Sequence, residues 1–314
     1  GAGFIGSQLV RRLVGSGARV TVLDSLNPSY GGHLFNLEGV RERIDFHKGD
    51  IRDVSVVEQL VEGQDYIFNL AAQTSHVGSM QEPMDDIGIN VIGQFNVLEA
   101  CRKWNADARL VFTSTRQVYG RPDYLPVDEL HPIRPPDVNG VSKFPAENYH
   151  LVYDRYHGIR STILRLTNTY GPGMRIKDAR QTFIGIWLRL VLEGRSFLVY
   201  GDGQVKRDFN YVDDVVDALL LATQPQARGR IYNLGALEVL SLEELAKLLV
   251  DLVPGARFDL VPMPSDRRDI DIGSCCSSFT RIAEELGWKP VTDLRTGLGR
   301  SLNYYREKFR HYVT

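Results

Sequence analysis

Three glycines spaced Gly1-x-Gly3-x-x-Gly6 open the chain and run directly into a segment with Leu9, Leu13 and Val14 on one helical face. Glycines at this spacing let backbone N–H groups approach a bound anion closely. The N-terminus of the following helix adds partial positive charge there. Alone, the spacing is weak evidence, because a tight turn without a ligand has the same composition. The next apolar run, Ala18–Leu23, ends at Asp24, about 20 residues beyond the turn. A carboxylate in that place accepts hydrogen bonds from the 2′- and 3′-hydroxyls of a ribose and repels a 2′-phosphate. The turn and the acid together predict a dinucleotide site that prefers NAD to NADP. A sheet of this kind begins with the strand that feeds the turn. No such strand precedes Gly1, so the chain is expected to be a fragment that lacks it.

The rest of the chain continues an alternation. Short runs rich in β-branched and aromatic residues fall at 18–23, 44–47, 66–70, 109–112 and 162–166, with longer amphipathic stretches between them. In residues 85–103, Ile89, Ile92, Gly93, Asn96, Val97 and Ala100 recur at helical spacing. Strands that are apolar without alternation are covered on both faces, as in a parallel sheet. The predicted fold class is therefore α/β: a Rossmann-type doubly wound parallel sheet, its first strand missing, over residues 1–166. A smaller mixed α/β domain is expected over 167–314, with helices at about 181–193, 213–223, 241–252, 279–286 and 295–309. No Gly/Ser/Pro-rich linker separates the two, so the halves are expected to interleave.

Composition narrows the function classes. Lys and Arg number 37 against 39 Asp and Glu, a net charge of −2. No overall field attracts the chain to nucleic acid or to a membrane surface. The three cysteines, Cys101, Cys275 and Cys276, form no C-x-x-C pattern, and a cytoplasmic compartment is expected. No G-x-S-x-G, H-E-x-x-H or GK[ST] motif occurs, and no metal site is expected. Of the seven histidines, only His76, beside the run at 66–70, is placed to attract notice.

Read together and in order, GAGFIG, Asp24, GDIRD (49–53), NLAAQTSH (69–76), TSTRQVYG (113–120), Ser142-Lys143, TNTYGP (167–172) and RDFNYVDD (207–214) resemble the extended short-chain dehydrogenase/reductase family. The likeness is greatest to its nucleotide-sugar epimerases and dehydratases, for which UDP-glucose 4-epimerase is the reference activity. It spans nearly the whole chain, and is more specific for the family than for the reaction. The resemblance implies NAD as a retained cofactor, a nucleotide-diphosphate sugar as substrate and a homodimer. It implies cofactor contacts from Gly1, Gly3, Phe4, Ile5, Gly6, Asp24, Asp50, Ile51, Leu70, Ala71, Ala72, Asn90, Thr113 and Lys143. Thr115 matches the residue that binds the reacting sugar hydroxyl, and Lys143 the lysine that binds the nicotinamide ribose. Arg116, Asn168, Arg180, Arg207 and Arg268 make up the candidate substrate set, with Arg207 and Arg268 matching arginines that hold the diphosphate. Each also has a plainer reading: Asp50 as a helix cap, Arg207 as half of a surface ion pair, Arg116 as a solvated charge.

The chain departs from the family at its catalytic signature, Tyr-x-x-x-Lys on one helix face. Here the stretch is Asn139-Gly140-Val141-Ser142-Lys143, and an amide takes no proton near neutral pH. Tyr304–Lys308 is the one literal Y-x-x-x-K, far along the chain in a polar segment. The family's 4,6-dehydratases carry Asp-Glu after the threonine, and its decarboxylases a Glu; this chain has Arg116 and Gln117. The expected activity is NAD-dependent epimerisation through a transient keto-sugar, with Thr115, Lys143 and Asn139 at the reacting centre and the base unassigned. The alternatives are a catalytically weak protein that binds NAD and a nucleotide sugar, or a dehydratase or decarboxylase reaction on the same fold.

Overall fold

Each apolar run of the first half becomes a strand, and each amphipathic stretch a helix covering it, in a computed structural model that describes residues 1–313. Helix α1 (Phe4–Gly15) follows the glycine turn and leads to β1 (Val20–Asp24), which pairs in parallel with β2 (Ile44–Lys48). Then come α2 (Val54–Val61), β3 (Tyr66–Asn69), α3 (His76–Gln81) and α4 (Pro83–Ile87). A π-helical turn over Gly88–Gly93 joins α4 to α5 (Gln94–Trp104). β4 (Arg109–Thr115), α6 (Val138–His157) and β5 (Arg160–Leu166) complete this half.

The single helix read over 85–103 is thus interrupted. At the interruption the Gln94 side chain donates to the Ile89 carbonyl at 3.1 Å and to the Ala71 carbonyl at 2.9 Å. A side chain that takes a main-chain acceptor of its own helix favours this wider turn, which is common next to functional sites. The turn also passes close to the loop after β2. A Cβ on Gly93 would stand 2.5 Å from the Ile51 side chain.

The second half adds β6 (Asn168–Tyr170), α7 (Phe183–Leu192), β7 (Phe197–Tyr200), β8 (Lys206–Tyr211), α8 (Val212–Leu221) and β9 (Ile231–Asn233). β10 (Val239–Ser241), α9 (Leu242–Leu252), β11 (Phe258–Val261), α10 (Ser265–Arg268), α11 (Thr280–Leu286) and α12 (Leu294–Val313) follow. The main sheet has the order β3-β4-β5-β9, all parallel. Its last strand comes from this second half, with Ile163 opposite Ile231. The smaller sheets are β10-β8-β6 and β11-β7. Trp187, Phe197, Phe209, Leu245, Leu298 and Tyr305 belong to one buried cluster beneath them. α9 starts with a reciprocal cap between Ser241 and Glu244.

β1 and β3 lie in separate sheets. Val20–Leu23 and Tyr66–Asn69 instead line one cavity together with Leu9, Val10 and Leu13 of α1. Among the described residues no helix is long and apolar enough to cross a membrane.

Candidate active site

The carboxyl ends of β3, β4 and β5, together with the glycine turn, surround a cavity. Gly1, Gly3, Phe4, Ile5 and Gly6 form one wall at the start of α1. Two of the glycines are required by close packing: a Cβ on Gly1 would stand 2.7 Å from Val22 Cγ1, and one on Gly6 3.0 Å from Gly1 Cα. Gly3 is different, because a Cβ there would meet nothing within 4 Å. No side chain caps this helix. The turn therefore leaves free backbone donors and open space on one side, which fits a pyrophosphate.

Asp24 closes the next strand at the cavity edge. Its Oδ2 accepts from Ala2 N at 2.8 Å and its Oδ1 from Leu26 N at 2.9 Å. Burial alone would raise its carboxyl. The Leu26 and Ala2 backbone donors act against burial and favour the ionised carboxylate. Asp50, Ile51, Leu70, Ala71, Ala72 and Thr113 line the same cavity. Asp50 does not cap α2. That role falls to Asp53, while Arg52 grips Asp50 at 2.7 and 3.0 Å and lowers its pKa. Asn90 lies behind the wall: it is fully buried, and its Nδ2 donates to Gln73 O and Asp86 Oδ2, both at 3.0 Å.

α6 supplies the opposite wall. Asp137 caps it through Gly140 N at 2.8 Å, which sets Asn139 and Lys143 one turn apart on the cavity side. Lys143 Nζ donates to the Thr113 carbonyl at 3.0 Å and lies 4.8 Å from the centre of the Phe112 ring. Burial pulls its ammonium down to about 8, against the opposing pull of Asp86 and Glu147. Asn139 Nδ2 donates to Gln73 O at 2.8 Å and to Asp86 Oδ2 at 3.3 Å, and its backbone N to Ser79 Oγ at 3.1 Å.

Thr115 ends β4 and lines the cavity, with Arg116, Gln117 and Asn168 beside it. Arg116 is not a solvated charge. It is buried, pairs with Asp208 at 3.0 Å, and also donates to Thr167 Oγ1 at 2.9 Å and Asn168 Oδ1 at 3.3 Å. Gln117 Nε2 donates to Asp137 at 2.8 Å. The other three arginines of the candidate substrate set lie outside the cavity lining. Arg207 is buried, not half of a surface pair. It donates to the Lys206 carbonyl at 3.0 Å, to the Gly273 carbonyl, and to Asp271 at 3.2 Å. Burial, with Arg116 nearby, lowers it to about 10. Arg180 and Arg268 are exposed.

Three polar residues of this site were not among the candidate site residues: Gln73, which lies inside the 69–76 motif, Asp86 and Asp137. Asp137 had a local signal, an acid directly before a helix. The Gln73 carbonyl and the Asp86 carboxylate meet Asn139 at 66 and 53 residues' separation, for which a single sequence carries no signal. His76 stands 2.9 Å from Asp137, through Nδ1 and Oδ2, and lines the cavity. Among the described residues, no three His, Cys, Asp or Glu side chains are grouped to hold a metal ion.

Residues 1–235 match the family model described as the NAD dependent epimerase/dehydratase family. A putative UDP-glucose 4-epimerase from Methanocaldococcus jannaschii is 34% identical over 99% of this chain and 98% of its own. The crystal structure of a UDP-glucose 4-epimerase from Thermotoga maritima with UDP-glucose superposes with a TM-score of 0.88 at 30% identity, covering 98% of this chain and 97% of that one. A dTDP-glucose 4,6-dehydratase double mutant from Streptomyces venezuelae, with NAD and a second ligand bound, gives 0.88 at 30% identity over 98% and 95%. The glycine cradle, the acid at the end of β1 and a match over three-quarters of the length agree, and the chain belongs to the NAD dependent epimerase/dehydratase family.

Proposed function

We propose that this protein epimerises a nucleotide-diphosphate sugar at a hydroxyl-bearing carbon, through a transient keto-sugar, with UDP-glucose 4-epimerase as the reference activity. The observation that carries the reading is the convergence of Thr115, Asn139 and Lys143 on the cavity that the glycine turn and Asp24 border. NAD, when bound, supplies the acceptor for the hydride of the reacting carbon. The chain's own residues do the rest. Thr115 offers a hydroxyl to orient the sugar hydroxyl, and Lys143 brings a cation that stabilises negative charge developing on that oxygen.

Elimination of water or carbon dioxide fits less well. The family's dehydratases and decarboxylases use acids at the positions of Arg116 and Gln117. Here both side chains are held by carboxylates, Asp208 and Asp137 respectively. The reading of a weak, binding-only protein rests on Asn139. Against it, Asn139 is 3% exposed and bonded to Gln73, Asp86 and Ser79, a built-in part and not the remnant of a larger side chain. The test is incubation of the protein with a panel of UDP- and dTDP-sugars deuterated at C4. The expected result is interconversion of C4 epimers with the deuterium retained. A dehydrated or decarboxylated product would overturn the reading.

A further inference from the structure

We propose that His76, held by Asp137, is the proton acceptor and donor for the reacting sugar hydroxyl; this rests on the keto-sugar reading above. His76 is the first residue of α3, behind the cap Ser75, whose Oγ accepts from Gly78 N at 3.0 Å. Ser79 ties this turn to the start of α6. Its Oγ donates to the His76 carbonyl at 2.7 Å and accepts from Asn139 N at 3.1 Å. His76 and Asn139 are therefore held at a fixed spacing, although 60 residues separate Ser79 from Asn139 along the chain.

Asp137 is the orienting group. Its side chain has no exposure, whereas that of His76 is 42% exposed. One carboxylate oxygen caps Gly140; the other accepts from Gln117 and faces His76 Nδ1 at 2.9 Å. Burial would raise this carboxyl, but His76, Gly140 N and Gln117 outweigh it and keep the group ionised. Nδ1 makes no in-line hydrogen bond in this geometry, so its contact with the Asp137 carboxylate is electrostatic; a carboxylate at that distance favours the tautomer protonated on Nδ1, which leaves the Nε2 lone pair free. Among the described residues, no protein group bonds to Nε2. The residue lines the same cavity as Thr115 and Lys143.

Other cavity groups are engaged otherwise. The Asn139 nitrogen faces two acceptors, Gln73 O and Asp86 Oδ2, so the amide cannot turn over. Its oxygen remains to accept a hydrogen bond but takes no proton. Lys143 donates a hydrogen bond to the Thr113 carbonyl and contributes charge. In the step, the sugar O–H bond breaks and an N–H bond forms at Nε2. The O–H electron pair closes the carbonyl, and NAD, when bound, would supply the acceptor for the hydride that the carbon gives up. The reverse step returns the proton from Nε2. Asp137 stays ionised beside the imidazolium, a positioning residue and not a proton carrier.

The test uses the full chain and the variants His76→Ala and Asp137→Asn. Asparagine is as good a helix cap as aspartate, so the second variant preserves α6 while removing the charge at Nδ1. The first readout needs no turnover: ¹⁵N-histidine NMR of the ligand-free protein at a pH where the ring is neutral. The expected tautomer carries its proton on Nδ1, and Asp137→Asn loses that preference. A ring protonated on Nε2 would overturn the proposal. The second readout is the epimerisation rate. His76→Ala should fall by about 100-fold or more, keep its NAD affinity by calorimetry, and recover at least about tenfold with added imidazole. Turnover by His76→Ala at the unmutated rate overturns the proposal and leaves the epimerase reading intact. An unmutated protein silent on the whole sugar panel overturns the epimerase reading and the proton transfer with it, and the tautomer then decides whether the dyad exists.

Discussion

Two buried cations border the same cavity and are compensated in opposite ways. Arg116, on the side toward β6 and β8, lies 3.0 Å from the Asp208 carboxylate, and three of its contacts go to side chains. Lys143, on α6, is 4% exposed, and its one hydrogen bond goes to a main-chain carbonyl. The carboxylates that act on it, Asp86 and Glu147, do so through space and do not offset burial. The first charge is used up in holding strands together. The second remains available to whatever enters the cavity. A buried cation without a carboxylate partner weakens the fold, and such groups are found where chemistry uses them.

The largest effect is expected on the compensated side. Arg116→Met leaves Asp208, with 1% side-chain exposure, charged and without its cation. Stability should fall by about 3–5 kcal/mol, measured by denaturant unfolding. Arg116→Met with Asp208→Asn should recover most of that loss, because neither end is then an unpaired charge. A single variant within about 0.5 kcal/mol of the parent would show that this pair does not hold the wall, and the contrast between the two cations would fail.

Lys143→Met should invert the pattern. Turnover should fall by about 10²–10³, while stability near neutral pH holds or rises, since methionine fills similar space without a charge to desolvate. The pH dependence sharpens this. Lys143 releases its proton at about 8 in the fold, against 10.5 in the unfolded chain. Between those values the unfolded state binds the extra proton, so stability from this group rises with pH across that window, by up to about 3 kcal/mol. The methionine variant should lack this slope. Equal slopes in both proteins would mean that the ammonium is compensated after all.

The same division explains what the sequence discloses. The glycine turn, Asp24 and Thr115 act through main-chain geometry at strand and helix ends, and such geometry has a local signature in residue type and spacing. The alternation of strands and helices is likewise local, and its strands fall within a few residues of the runs read from the sequence. The Asp86 and Asp208 carboxylates and the Gln73 main-chain carbonyl meet partners 53, 92 and 66 residues away, and nothing near them in the chain marks those partners. The arginines show the converse. A motif aligns Arg207, yet its guanidinium turns to Gly273 and Asp271, because the segment that would decide its direction lies more than 60 residues on. The break at Gly88–Gly93 was hidden for a related reason: the apolar period continues through it, and only the Gln94 contacts with Ala71 and Ile89 show why the turn widens.

Asp24 is the case where sequence and structure make the same demand, and it carries the smallest of these effects. Its carboxylate already accepts from Ala2 N and Leu26 N, so it is fixed at the edge of the cavity, with both oxygens also able to accept from ribose hydroxyls. A 2′-phosphate brought to the same place adds charge of the same sign. Two unit charges 4 Å apart near a protein surface repel by about 4 kcal/mol before screening. Relaxation and salt reduce that figure, and NAD should bind at least about tenfold more tightly than NADP. Asp24→Asn keeps the size of the side chain and removes the charge; its single oxygen serves one of the two backbone donors, and its amide nitrogen faces the other. It should narrow the gap between the cofactors, chiefly by tightening NADP, with NAD affinity changing less. Calorimetry with both cofactors on both proteins decides it. Equal affinities for NAD and NADP in the unmutated protein would remove Asp24 as the selector and leave its role as a brace for the glycine turn.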